Sequence, residues 1–199
     1  MGDIDEKISE AIERSHDSRL NAAVAVFVAL GATFMALCNV KDGNIVQAMA
    51  QAQANGVDEW AYYQAKGTKQ NLAIAAREQI ELLRDSTANA TPEVKTLFDT
   101  RIAQYVAQEK KYEAEKQDIK RQAEAFKRQY DDLNVHDDQF DMADALLSVS
   151  IALFGVTALT RKRWLLGLAL MFAAFGTLLG IAGFVGWNLH PDFLASLLG

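Results

Sequence analysis

The fold is decided by a stretch without a charged residue, residues 20–40, which reads LNAAVAVFVALGATFMALCNV. A membrane-spanning helix needs about 20 apolar residues, because each residue rises about 1.5 Å and the hydrocarbon core is about 30 Å thick. Arg19 precedes this stretch and Lys41 follows it. The stretch therefore predicts a transmembrane helix, and it is too long for the apolar core of a cleaved signal peptide.

Two further windows, residues 145–160 and 164–191, also lack charged residues. Only Arg161, Lys162 and Arg163 separate them, which leaves room for a tight turn and predicts a helical hairpin. Pro191 is expected to end the last helix. We predict a lead-in at 1–19, transmembrane helices at 20–40, 142–160 and 164–190, an extramembrane segment at 41–141, a basic turn at 161–163 and a tail at 191–199.

The average composition hides this segregation of charge. The chain has 199 residues, of which 50% are hydrophobic and 23% charged, with a net charge of −6. Those averages suit an ordinary soluble domain, but the charge-free windows exclude a single soluble globule. One cysteine cannot form a disulfide within the chain, and the acidic balance disfavours a nucleic-acid partner.

The basic residues near the predicted spans indicate an orientation. Lys7, Arg14 and Arg19 lie before the first span, and the basic turn at 161–163 lies between the last two. Because cytoplasmic flanks are enriched in Lys and Arg, we expect the N-terminus and this turn in the cytoplasm. Residues 41–141 would then be extracytoplasmic, in the periplasm of a bacterial inner-membrane protein.

The polar segment between the first two spans is rich in Ala, Gln, Glu and Lys and shows no strand-like alternation. It is expected to be helical, with candidate breaks at Asn55-Gly56 and Asn134. The sharpest break lies at residues 86–92, where Thr91, Pro92 and Glu93 have the pattern of a helix start. The two arms would form an antiparallel helical hairpin with its tip at this break.

The second arm carries a large apolar or aromatic residue at every seventh position: Phe98, Tyr105, Tyr112, Ile119, Phe126 and Leu133. This spacing is typical of a coiled-coil seam. The companion seam position holds Glu109 and Lys116, so the seam is incomplete. Because a two-helix hairpin buries little apolar surface, we expect other copies or a partner subunit to complete it. The predicted fold class is an all-α membrane protein with three transmembrane helices and this hairpin between the first and second.

The stretch Trp60-Ala61-Tyr62-Tyr63-Gln64-Ala65-Lys66 follows the first predicted span by some 20 residues. With the Arg19-Leu20-Asn21 entry, the long helical insert and the closing membrane hairpin, it resembles the bacterial domain-of-unknown-function family numbered 4337. The resemblance covers nearly the whole chain. It implies a bacterial membrane protein with a helical insert, and it supplies no catalytic residue.

Five residues outside the seam are candidates for helix packing or interaction. Gly176, Gly180 and Gly183 form a small-residue face, which predicts close contact with the other spans or with another subunit. Trp60 and Tyr63 would form a binding surface, pack in the helix pair or rest at the headgroup level.

Asp137, Asp141 and Asp144 are spaced to share one helix face, and they are the candidate ion site. Carboxylates suit divalent cations, and a ring of Asp144 in an oligomer could conduct protons or cations. The alternative is that acidic residues favour the start of the second membrane helix. No loop motif for calcium and no paired histidine motif accompanies them, so we predict no bound metal.

The sequence shows no catalytic constellation, because Cys38 lies inside the first predicted span and the three histidines are far apart. Phosphate-binding and nucleophile motifs are also missing. We therefore expect a non-enzymatic protein without a cofactor, acting as a helical scaffold or interaction subunit, either self-associating or within a larger membrane complex. An oligomeric channel or transport accessory using Asp144, and an accessory subunit of a membrane enzyme, are the alternatives.

Overall fold

The computed structural model describes residues 2–87 and 89–187, with side chains from residue 18 onward. Its elements are three helices, α1 (Gly2–Ser86), α2 (Pro92–Thr160) and α3 (Arg163–Val185). The predicted all-α class is confirmed over this part of the chain. The side chains of residues 1–17 in the predicted lead-in, residue 88 of the predicted tip, the end of the predicted third span and the C-terminal tail lie outside the described residues.

The chain divides into two compact units. The hairpin unit is Met49–Asp131, in which the second part of α1 packs against the first part of α2. The bundle unit comprises the described parts of Met1–Ala48 and Asp132–Gly199. In the hairpin unit the two helices are antiparallel, since Lys66 pairs with Glu115 whereas the later Arg77 pairs with the earlier Glu109.

The bundle unit packs three helices around a small apolar core. Val24 of α1, Phe154 of α2 and Ala169 of α3 form one buried cluster, and the Phe27 ring stacks on Phe154 with centroids 5.6 Å apart. By length and composition, all three helices contain a stretch that is apolar enough to cross a membrane. The core forms because the small Ala169 leaves room for the Phe154 ring to pack closely between the helices.

The connection between α2 and α3 is only two residues long. The Arg161 backbone N–H donates to the Thr157 carbonyl at 2.8 Å, and Arg161 adopts a left-handed conformation with φ 57°. Such a residue commonly ends a helix because it turns the chain while satisfying a free carbonyl. Arg161, Lys162 and Arg163 are all exposed.

Three expectations about helix boundaries are wrong. α1 continues through Asn55-Gly56 and α2 through Asn134, because Gly56 lies against the Phe126 side chain and Asn134 donates to Asp138 one turn later. α3 ends at Val185, earlier than the predicted His190. Gly186 terminates it in a left-handed conformation with φ 77°, which glycine adopts without steric cost.

Candidate functional site

A layer of charged and amide side chains joins the two helices of the hairpin unit. Lys66 Nζ lies 2.6 Å from Glu115 Oε2, and Arg77 Nε lies 2.7 Å from Glu109 Oε1. Lys116 Nζ donates to Gln70 Oε1 at 2.9 Å. The incomplete seam positions of the sequence, Glu109 and Lys116, therefore find polar partners on α1. We call these residues the polar layer: Lys66, Gln70, Arg77, Glu109, Glu113, Glu115 and Lys116.

Aromatic rings enclose the two lysines of the polar layer. Lys66 Nζ lies 5.1 Å from the Tyr62 ring centroid and 5.7 Å from that of Tyr112. Lys116 Nζ lies 5.2 Å from the Tyr63 ring centroid. Trp60 packs edge-on against Tyr63, with centroids 5.5 Å apart. A cation near a ring face is attracted by the ring quadrupole, so the aromatic stretch and the lysines stabilise each other.

Hydrogen bonds shift the pKa values of three ionisable groups in the polar layer. The hydrogen bond with Glu115 raises the pKa of Lys66, and the same bond lowers the pKa of Glu115. Hydrogen bonds from Gln117 and Gln70 lower the pKa of Glu113. All three groups therefore stay charged at neutral pH, as is typical of ions that are hydrogen-bonded within a pair of packed helices.

The other seam residues are less enclosed than a closed coiled-coil core would be. Ile119 is 5% exposed, whereas four seam aromatics are only half-buried: Phe98, Tyr105, Tyr112 and Phe126. The Phe126 Cβ lies 3.7 Å from the position that a Gly56 side chain would occupy. Trp60 and Phe126 border a groove of about 370 Å³ on one side of the hairpin unit.

The glycine face of α3 packs inside the bundle unit. A Cβ added to Gly176 would lie 2.9 Å from Leu147 Cγ, and one added to Gly183 would lie 2.8 Å from the Phe140 ring, both on α2. A Cβ on Gly180 would lie 2.7 Å from the Phe34 ring of α1. The three glycines thus permit close contact between α3 and the other two helices of the same chain.

Acidic side chains from α1 and α2 meet in the bundle unit. Burial, a hydrogen bond with Asp42 and the Asp42 charge together raise the pKa of Asp137 to about 6. One carboxylate oxygen, Oδ1, is buried without a hydrogen-bond partner in each of Asp42, Asp137 and Asp144. The neighbouring Asp42 carboxyl disfavours the charged form of Asp137, so Asp137 keeps its proton to a higher pH than an isolated aspartate does.

The predicted ion-site residues are only partly brought together. Asp137 and Asp144 are partly buried, whereas Asp141 is exposed. Over residues 18–87 and 89–187, no three His, Cys, Asp or Glu side chains are placed to hold a metal ion together. What the acidic side chains offer in this arrangement is an Asp137 carboxyl that holds its proton up to about pH 6.

Comparison with known protein families gives one match. Residues 20–186, more than four fifths of the chain, match the model of a family described as Domain of unknown function (DUF4337). The chain belongs to this family. The match spans both predicted hairpins and therefore the polar layer and the glycine face. No curated protein and no solved structure matches the chain.

Three polar residues of this DUF4337 chain contribute contacts that sequence reasoning missed. Asp42 pairs with Asp137, and its position just after the first charge-free window was the available signal. Gln139 is fully buried and donates to the Trp187 carbonyl at 2.6 Å. Ser150 donates to the Ala169 carbonyl at 2.8 Å and so links α2 to α3. The bonds of Gln139 and Ser150 depend on the fold, and the sequence alone carries no sign of them.

Proposed function

We propose that this DUF4337 chain is a non-enzymatic integral membrane protein that serves as a helical scaffold or interaction subunit in the bacterial inner membrane. The three apolar helices support the membrane location. The incompletely closed hairpin unit supports the scaffold role and is the observation that carries it. Leu72, Leu82 and Leu97 of this unit are each more than half exposed. Large apolar side chains left open on a helix pair are typical of surfaces that bind another helix.

The contacts of the polar layer suit a scaffold as well. Charged pairs inside a helix interface fix its register, because any slip leaves an ion without its partner. A hairpin held in one register presents the same outer surface in every copy. The hairpin unit is therefore proposed as a rigid extramembrane element, with its surfaces available to copies of the chain or to other membrane subunits.

The proposed topology places the N-terminus and residues 161–163 in the cytoplasm and residues 41–141 in the periplasm. Trypsin added to spheroplasts tests it, because the hairpin unit contains exposed lysines such as Lys69 and Lys111. We expect cleavage within the hairpin unit before lysis. Cleavage that occurs only after lysis would reverse the orientation.

The scaffold role is tested by the mass of the native assembly. The protein is extracted with a mild detergent, and its mass is measured by light scattering with correction for bound detergent. Co-purifying proteins are identified in the same sample. We expect either a multiple of the 21.9 kDa chain or a complex with another membrane protein. A monomer without any partner contradicts the proposal.

A second candidate, an oligomeric ion channel or transport accessory, is favoured by the buried, unpartnered Oδ1 of Asp144. The test replaces Asp144 by Asn and measures proton and cation flux in liposomes. Asp58→Asn in the hairpin unit serves as the matched control, because Asp58 is exposed. Flux that is lost in Asp144→Asn and kept in Asp58→Asn supports a channel. Flux at the background level in the unsubstituted protein and in both variants contradicts the channel function.

A further inference from the structure

In the hairpin unit, α1 carries a stripe of exposed, uncharged residues. Its positions follow each other at steps of three or four residues and are all exposed: Ala61, Ala65, Thr68, Leu72, Ala75, Gln79 and Leu82. The same spacing continues toward the start of the unit through Val57, Ala54 and Ala50, which are also exposed. We call these ten residues the α1 stripe. Steps of three and four place them along one side of the helix.

The α1 stripe is separate from the contact with α2. The positions that face α2 alternate with the stripe positions along the sequence. They include Lys66, Ala73 and Arg77. Val57 is 63% exposed, Leu72 66% and Leu82 70%, so most of the surface of the large stripe members is uncovered in the hairpin unit. A shallow groove of about 530 Å³ runs between Leu72 and Leu82.

The charges of this arm avoid the stripe. From Met49 to Ser86 the helix holds nine charged residues, and none of them occupies a stripe position. A stripe of alanine and leucine without a charged residue is complementary to an identical stripe, because its small side chains permit close approach; Glu78 lies at the edge of the groove. A partner selected by charge would require ionic groups that the stripe does not offer.

The stripe is also long enough for a stable pair. It spans about 50 Å of helix, since each residue rises about 1.5 Å. Contact along a strip about 10 Å wide on each of two copies removes roughly 1,000 Å² from water, which is near the minimum for a specific interface. Confinement of both copies to one bilayer would raise their effective concentration further.

We propose that the α1 stripe is the contact surface between two copies of this chain, which pair their α1 helices in parallel. This inference rests on the proposed self-associating scaffold and names its surface. Insertion with one topology gives both copies the same chain direction, so each stripe residue meets its own counterpart. Two hairpin units joined in this way form a four-helix arrangement in which the α1 helices are central.

Disulfide crosslinking in native membranes tests the proposal. Cys38 is the only cysteine, so a Cys38→Ala background leaves single introduced thiols. Ala61→Cys and Ala75→Cys place a thiol on the stripe, and Ala107→Cys and Ala114→Cys place one on exposed positions of α2. Mild oxidation with copper phenanthroline should produce several-fold more dimer from the stripe variants. Equal dimer from both sets indicates random collision and overturns the proposal.

Further variants separate the alternatives. Leu72→Gln with Leu82→Gln should reduce the Ala61→Cys dimer several-fold while circular dichroism shows unchanged helix content. An unchanged dimer yield with those substitutions contradicts the stripe. An adduct of a stripe thiol with a different protein, or a crosslink between co-expressed Ala61→Cys and Ala75→Cys chains, overturns parallel self-pairing. A native mass above the monomer without stripe crosslinks refutes this surface alone, whereas a monomeric mass refutes the scaffold proposal too.

Discussion

Gly183 gives the sharpest test of the bundle packing. A Cβ at this position would lie 2.8 and 2.9 Å from two ring atoms of Phe140. Carbon atoms in contact prefer about 3.5–4.0 Å, so the ring or the helix must move when Ala replaces Gly183. Phe140 is only 1% exposed and packs edge-on against Phe184, with centroids 5.2 Å apart, so the ring has no free direction.

The magnitude follows from two opposing effects. Overpacking a closed core costs about 1–3 kcal/mol. Replacing glycine by alanine within a helix recovers up to about 1 kcal/mol through backbone entropy. Gly167 on the same helix provides the matched control, because an added Cβ meets nothing within 4 Å. The free energy of unfolding of Gly183→Ala should therefore lie about 1–3 kcal/mol below that of Gly167→Ala.

The assay is reversible unfolding of the purified protein in mixed detergent micelles with increasing dodecyl sulfate, followed by far-ultraviolet circular dichroism. A third variant combines Gly183→Ala with Phe140→Leu, which removes part of the ring. The loss from Phe140→Leu should be smaller in the Gly183→Ala background than alone, because the smaller side chain relieves the clash that Gly183→Ala creates. Equal stability of Gly183→Ala and Gly167→Ala would refute the close α2–α3 contact.

Other predictions concern charge and hydrogen bonding. The pKa of Asp137 is raised from 3.8 to about 6, so this group stabilises the folded state fully below pH 3.8 and loses that effect as pH rises through about 6. Asp137→Asn should therefore make the stability of the bundle unit, measured by hydrogen exchange, less dependent on pH between these two values. The lowered pKa of Glu115 acts oppositely, so the hairpin unit should lose protection as pH falls below the ordinary glutamate value of 4.5, and Glu115→Gln should weaken that dependence. Lys66→Met alone should lower the melting temperature, whereas Lys66→Met with Glu115→Met should restore it, since no unpaired ion remains. Gln139→Leu should cost about 1 kcal/mol in the dodecyl sulfate assay by removing its bond to the Trp187 carbonyl, and no change would show that water replaces it.

The predictability of this fold differs between its parts for a physical reason. Length, charge-free windows and the Pro92 helix start depend on neighbouring residues, so they are readable from sequence, as is the membership of the family. The seven-residue spacing from Phe98 to Phe126 likewise indicated that the second arm packs on another helix. The expected breaks at Asn55-Gly56 and Asn134 were wrong because packing against Phe126 at Gly56, and a hydrogen bond within α2 at Asn134, outweigh a local preference for turns.

The candidate sites were less predictable because their residues are distant in sequence. The spacing placed Asp137, Asp141 and Asp144 on one face, but only the fold brings Asp42 to Asp137 and leaves Asp141 exposed. The glycine face was visible in the sequence, whereas the side chains that pack against it are known only from the structure of the bundle unit.

The sequence by itself determined that this chain is helical, holds three stretches apolar enough for a membrane and joins two of them through a long polar insert. Each of these properties is a sum over adjacent residues. Tertiary structure alone decided that Glu109 and Lys116 are paired with Arg77 and Gln70, and that the α1 stripe is left uncovered. Those outcomes depend on which side of each helix faces its neighbour. The sequence of a single helix leaves that side open until the packing partner is known.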